Sequence, residues 1–397
     1  MLTMVHANPA RLQDGVFYVD RKFHTGMQEY VRCLNTPILA VHPHLSPEYD
    51  ASIMDLVAVP ESELGYRVKT VKCSDDGGPL PEEIAPLRTE IARSKVVYCG
   101  GLGRAVRDAS VQTGVPYIGI VEKGLWTNVA LATYRAKGIV RKTWRILHTA
   151  GHYFTEVVPF VRGARLLHCN GYPVFNEMAQ INQNRLLYLD SRLHDSMLIT
   201  PAGLRDRLAR RRSRVPRVIF SGRLEPEKGA LDIIKIACQP VLRNVPCEFI
   251  IYGKGTQRAA MERLVAEEGL LRTVKIVDPI PFPQLVEASR ECDIFLCCHP
   301  QGDPSCTYLE SMGCGLPILG YANAMWSAMQ ADSGAGLVTG RCAPAEAAKE
   351  LRKLLADPDR LDDLSLRAHS FAAKHTFEAE FARRTDSMKE LIFSNTV

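Results

Sequence analysis

No apolar run in this sequence reaches about 18 residues, so nothing in it reads as a transmembrane helix. Residues 1–20 lack the basic-then-apolar layout of a signal peptide. No Cys-x-x-Cys pair occurs among the 12 cysteines, which leaves a structural zinc site unsupported. Cys247, Cys292, Cys297 and Cys298 stand inside apolar runs and read as reduced core thiols of a cytosolic protein. Successive strand residues face opposite ways, so Cys297 and Cys298 do not easily share one ion with His299. The turn at Gly253 and Gly255 lacks the Gly-Lys-Ser/Thr ending of a P-loop. Asp357-Pro358-Asp359 lies between two helical stretches and reads as turn chemistry, not a metal motif. Internal repeats and low-complexity stretches are also missing.

An excess of one charge is small too. Against 49 Lys and Arg stand 44 Asp and Glu, a net charge of +5. Residues 205–217 hold seven Arg and one Asp, a local +6, so the rest of the chain sums to −1. No aromatics interleave with this basic strip, which argues against nucleic acid. A solvated hinge and a peripheral contact with an anionic membrane remain as readings of it.

What is present is alternation. Strand-like runs ("TPILAVHP", "YRVKTVK", "SKVVYCG", "PYIGIVE", "ARLLHCN", then "PRVIFSG", "CEFIIYG", "TVKIVDP", "CDIFLCC", "LPILGY") are separated by amphipathic stretches such as 229–242, 256–268 and 307–314. That pattern predicts an α/β protein with parallel sheets and crossover helices. Ten strands in 397 residues fit two Rossmann-like domains better than one sheet. The expected boundaries are 1–203, 204–373 and a final helical segment 374–397.

Chemistry concentrates in four places. In "FSGRLEPEKGALDII", Arg223 and Lys228 follow a strand and precede a helix, an arrangement suited to a diphosphate. The alternative is an exposed loop whose cations are neutralised by Glu225 and Glu227. In "HPQGDPSCTYLESMGCGLPILGY", Ser305 or Thr307 is expected to cap a helix that carries Glu310. A carboxylate there suits two sugar hydroxyls, or it closes a capping box with Thr307. In "KVVYCGGLGRAVRDASVQTGVPYIGIVE", Gly101, Gly103 and Glu122 approach a dinucleotide fingerprint, with Val106 where its third Gly belongs. That segment carries the alternative reading of an NAD-dependent oxidoreductase. In "DRKFHTGMQEY", Gly26 is expected in a loop that lets backbone approach a ligand.

The order of motifs in the second half resembles the donor domain of retaining glycosyltransferases of family four (glycosyl transferases group 1). "SGRLEPEKG" resembles the family's phosphate motif at Gly222, Arg223, Lys228 and Gly229. "FIIYGKG" resembles its strand and glycine turn at Gly253, and "CTYLESMGCGLPIL" the second half of its acidic motif. The resemblance implies a GT-B fold, two Rossmann-like doubly wound domains facing across a cleft, with the last helix crossing back to the first domain. It implies transfer of a sugar from a nucleotide diphosphate donor, with retention, to a carbohydrate, lipid-linked or small-molecule acceptor in glycan biosynthesis. No cofactor or metal is implied, because Arg223 and Lys228 would neutralise the leaving diphosphate.

Glu310 takes the ribose role. The family's first Glu would fall at Gly302; its role passes either to Asp303 beside it, with a shifted loop, or to the backbone amides of 300–306. Gly26 would border the donor phosphates, together with Ser305 and Thr307 on the acidic-motif side. Glu122, where many relatives have a His, would face the acceptor or sugar. The expected location is cytoplasmic, with peripheral contact at the inner membrane face through residues 205–217. A sugar-nucleotide binder without catalysis is the remaining alternative, suggested by the missing first Glu.

Overall fold

The fold is given by a computed structural model, which describes residues 1–393 other than 53, 54, 76, 135, 137 and 303. The chain forms two units. The first comprises residues 1–170, 174–188 and 381–397, the second residues 171–173 and 189–380.

The strands of the first unit are β1 (Leu2–Val5), β2 (Arg11–Gln13), β3 (Val16–Asp20), β4 (Ile38–Pro43), β5 (Leu56–Pro60), β6 (Arg67–Val71), β7 (Val96–Cys99), β8 (Tyr117–Val121), β9 (Leu166–Asn170) and β10 (Arg185–Tyr188). Seven of them form a parallel sheet in the order β10-β9-β8-β7-β1-β4-β6. Its central strands β1 and β7 are buried at every position. Strands covered on both faces need continuous apolar runs rather than alternation, which is why "LTMV" and "VVYC" suit them. β2, β3 and β5 form a small antiparallel sheet. Its first hairpin turns at Asp14 and Gly15, both at positive φ (51° and 74°), the conformation that an Asp-Gly pair supplies.

The second unit holds β11 (Arg217–Ser221), β12 (Glu248–Tyr252), β13 (Val274–Val277), β14 (Ile294–Cys297), β15 (Ile318–Tyr321) and β16 (Gly336–Thr339). They make a six-stranded parallel sheet in the order β13-β12-β11-β14-β15-β16. β11 is central, so the loops after β11, β12 and β14 meet at one end of the sheet.

The boundary expected after 203 falls after Tyr188. The reason is that residues 201–211 form a helix (Pro201–Arg211) packed into the second unit, not a linker. Its Arg207 is buried and donates to Cys314 O and Gly315 O, both at 2.6 Å. The last helix, Phe377–Phe393, begins in the second unit, and from Phe381 onward it belongs to the first. There, Arg384 lies 4.6 Å over the Tyr188 ring and donates to the Tyr30 hydroxyl at 3.2 Å. Ser387 bonds His168 Nε2 at 2.9 Å, and burial pushes the His168 pKa down to about 3.

Candidate functional site

The loop after β11 is fastened to the loop after β12. Leu224 N donates to Lys254 O and Gln257 N to Leu224 O, both at 2.9 Å. Gly253 is required by this zipper, since a Cβ there would lie 2.1 Å from Gly222 O. A 3-10 turn, Pro226–Lys228, then hands the chain to the helix Ala230–Ala237 through Gly229. Gly229 has φ +63°, and a Cβ on it would lie 2.0 Å from Cys298 O. Only glycine permits both, so the turn is pressed against the end of β14. Lys228 is thereby held near His299, whose pKa is lowered well below the ordinary value by burial and then by the Lys228 charge. The Arg223 side chain is 63% exposed and only loosely paired with Glu227, at 3.6 Å. Glu225 turns away and accepts from Thr256 N at 2.9 Å. Of the two acids, one therefore faces Arg223 and the other anchors the neighbouring loop.

On the other side of β14 the helix Thr307–Gly313 carries Glu310. Its N-cap position is Cys306, with no side-chain cap bond, so neither Ser305 nor Thr307 caps it. Those two hydroxyls bond each other at 2.8 Å instead. Glu310 is buried, and its Oε1 accepts from Arg192 Nε at 2.9 Å and Nη2 at 2.8 Å. Arg192 also lies 4.5 Å over the Phe282 ring. Sequence reasoning missed Arg192: it stands 118 residues from its partner in a stretch without a motif. His299 was set aside as part of a cysteine cluster. It is fully buried, its Nδ1 has no hydrogen-bond partner among the described residues, and its backbone carbonyl accepts from Asn323 Nδ2 at 3.0 Å. Asp303 lies outside the described residues. Gly302, where the first Glu of the acidic motif would fall, leaves little room, since a Cβ would come within 3.0 Å of Ala324 Cβ.

The first unit holds the remaining two candidates. Gly26 is not in a loop. It lies inside the helix Arg21–Leu34, where a Cβ would meet the Phe381 ring at 3.3 Å, so its small size serves packing against the last helix. Glu122 is exposed just beyond β8 and borders a cavity of about 730 Å³ shared with Arg88, Arg104, Lys123, His152 and Glu156. The glycine turn after β7 is real. Gly101 packs so tightly on His6 that a Cβ would lie 2.3 Å from the His6 carbonyl oxygen, and Val106 fills buried space in the helix that follows.

The basic strip does not form a free cationic face. Arg211 pairs with Asp362 at 2.5 Å and Arg212 with Asp359 at 2.7 Å. Arg214 grips the buried Asp293 with both Nη atoms, at 2.8 and 2.9 Å, and Arg210 pairs with Glu291 at 3.3 Å. Most of the strip's arginines are thus committed to partners within the second unit, while Arg205 stays exposed. Among the described residues, no three His, Cys, Asp or Glu side chains gather as a metal site, and no helix is long and apolar enough to cross a membrane.

Residues 208–371, which hold every element of the second-unit site except Arg192, match the family model described as glycosyl transferases group 1. This part of the chain is similar to that family. The chain is similar to a D-inositol 3-phosphate glycosyltransferase of Thermobispora bispora, 32% identical over 199 residues, 46% of each protein. It is similar to another from Nocardia farcinica, 31% identical over 166 residues, 40% of this chain and 37% of that one. The match thus spans less than half the length of these curated relatives. Among solved structures it is similar to Anabaena HepE in complex with UDP (TM-score 0.66, 12% identity, 98% of both chains). It is also similar to WaaG, a glycosyltransferase involved in lipopolysaccharide biosynthesis (TM-score 0.61, 14% identity, 100% of both chains). These likenesses establish the fold as GT-B. Glycosyltransferases, not oxidoreductases, are what the chain matches, and the NAD-dependent reading of Gly101, Gly103 and Glu122 is set aside.

Proposed function

We propose that the protein is a glycosyltransferase that moves a sugar from a nucleotide diphosphate donor to an acceptor hydroxyl, with retention of configuration, in the synthesis of a polysaccharide, glycolipid or other glycoconjugate. The observation that carries this reading is the glycine-pinned turn that holds Arg223 and Lys228 at the end of β11 beside β14. Departure of the nucleotide concentrates negative charge on its diphosphate. Two cations preset for that charge stabilise the transition state more than the ground state. They also supply what a divalent ion would otherwise supply, so turnover is expected to survive chelation. The buried Glu310 carboxylate, oriented by Arg192, is suited to the ribose hydroxyls. HepE has been solved with UDP and with UDP-glucose, which supports a nucleotide sugar as donor. Glu122, at the rim of the first-unit cavity, is assigned to the acceptor.

A donor panel of UDP-, GDP- and ADP-sugars, read by hydrolysis and by melting shift, tests the reading. Arg223→Ala and Lys228→Ala are each expected to lower kcat on the order of a hundredfold or more, the usual cost of one oxyanion-stabilising donor. For Arg223→Ala melting should change little, because the guanidinium is exposed and its ion pair with Glu227 is loose. Near-normal turnover by both variants, or a melting shift with no donor, rejects the assignment. Donor binding without hydrolysis or transfer favours the non-catalytic alternative.

A further inference from the structure

The helix Ile139–His152 is turned inside out. A surface helix ordinarily lays its apolar stripe on the core and its polar face in water. Here Ile139, Val140, Trp144 and Leu147 fall on one side of the helix and are 81%, 81%, 61% and 68% exposed. Arg145, on the opposite side, is what turns toward the protein: its Nη1 donates to Ala132 O at 2.9 Å, in the helix Leu125–Tyr134. No residue of the helix is buried. Trp126, at the start of the preceding helix, and Phe154, just after this one, are also exposed, at 73% and 62%.

Charge says what covers this face. Residues 123–155 contain six Lys or Arg and no Asp or Glu. Arg141 and Lys142 are exposed and have no ion-pair partner among the described residues. A self-complementary dimer through this face would set one such cationic segment against its own copy, with no acid in either to balance it. A bilayer carrying anionic lipid answers both features. Apolar side chains enter the acyl boundary, tryptophan rests at headgroup depth, and Lys and Arg meet lipid phosphates.

We propose that the helix Ile139–His152 is a docking surface for an anionic lipid bilayer. The experiment is sedimentation of the full chain with vesicles of phosphatidylcholine, alone or mixed with phosphatidylglycerol, together with the emission of Trp144. The expected result is binding to the anionic vesicles with a blue-shifted emission, and little binding to pure phosphatidylcholine. Ile139→Ser with Leu147→Ser, and separately Arg141→Gln with Lys142→Gln, are each expected to weaken binding at least about tenfold. All four side chains are exposed, so melting should not move. Arg210→Gln with Arg212→Gln should bind as the parent does. The proposal is overturned if the parent stays in the supernatant or if either helix variant binds like the parent. It is also overturned if sedimentation velocity finds a dimer that the Ser variant dissolves. Sugar transfer plays no part in the readout, so failure of one reading leaves the other standing.

Discussion

Two segments of this chain carry the same charge and use it in opposite ways. Residues 205–217 sum to +6, and so do residues 123–155. In the first, the cations are spent on the interior of their own unit. Arg207 binds the carbonyls of Cys314 and Gly315, Arg211 the carbonyl of Pro358 and the carboxylate of Asp362, and Arg214 the carboxylate of Asp293. In the second, no acid lies within the segment, Arg141 and Lys142 stay in water, and the apolar residues beside them do too. A local charge count records only what is near in sequence. The acidic partners of the first segment lie 31 to 151 residues away, so most of its charge is offset only on folding.

The sharpest way to break this comparison is at Arg207. Burial pulls its pKa down to about 10, so it stays charged at neutral pH while donating to two carbonyls. Arg207→Met would strand both buried acceptors, a loss of about 3 kcal/mol. Urea unfolding should show that loss, and vesicle binding at a temperature where the variant is folded should not change. A variant as stable as the parent would mean that this arginine is ornament and that the strip is not structural. A smaller effect is expected from salt. Each cation near an anionic surface contributes about 1 kcal/mol, and screening removes most of that. Raising ionic strength from about 0.05 to 0.5 M should therefore weaken vesicle binding by about tenfold or more, without abolishing it, because the apolar face remains. Salt-insensitive binding would leave Arg141 and Lys142 without a role.

The same contrast explains how much was legible in the sequence. All ten strands expected from apolar runs are present, and Gly253 packs on Gly222 at the start of the loop that carries Arg223. Parallel strands write themselves as continuous apolar words, and a phosphate turn needs its glycines at fixed offsets. What was missed lacks such a signature or was overlooked. β16, Gly336–Thr339, has only Leu337 and Val338 as large apolar residues, and the Asp14-Gly15 hairpin joins strands of a separate small sheet. Gly26 reads like a loop glycine, but its small size serves the Phe381 ring, which lies 355 positions further on in sequence. Arg192 and Glu310 find each other only in three dimensions. The helix Ile139–His152 carries an apolar stripe that is legible from residue spacing alone. A strong apolar face normally means core, and only the structure reveals that this one has nothing over it.

The smallest expected effect is at Arg212, and it tests the boundary between the two behaviours. Arg212 belongs to the strip, yet its side chain is half exposed, and one of its partners, Asp359, is 86% exposed. Exposed pairs contribute little, since they gain modest Coulomb energy and lose side-chain entropy. Arg212→Ala should thus change unfolding free energy far less than Arg207→Met does. If Arg212→Ala were instead as costly as Arg207→Met, the strip would act as one cooperative network through Asp362, which Arg211 and Arg212 share. A double-mutant cycle of Arg211 and Arg212 decides between the two, because independent pairs add and a network does not.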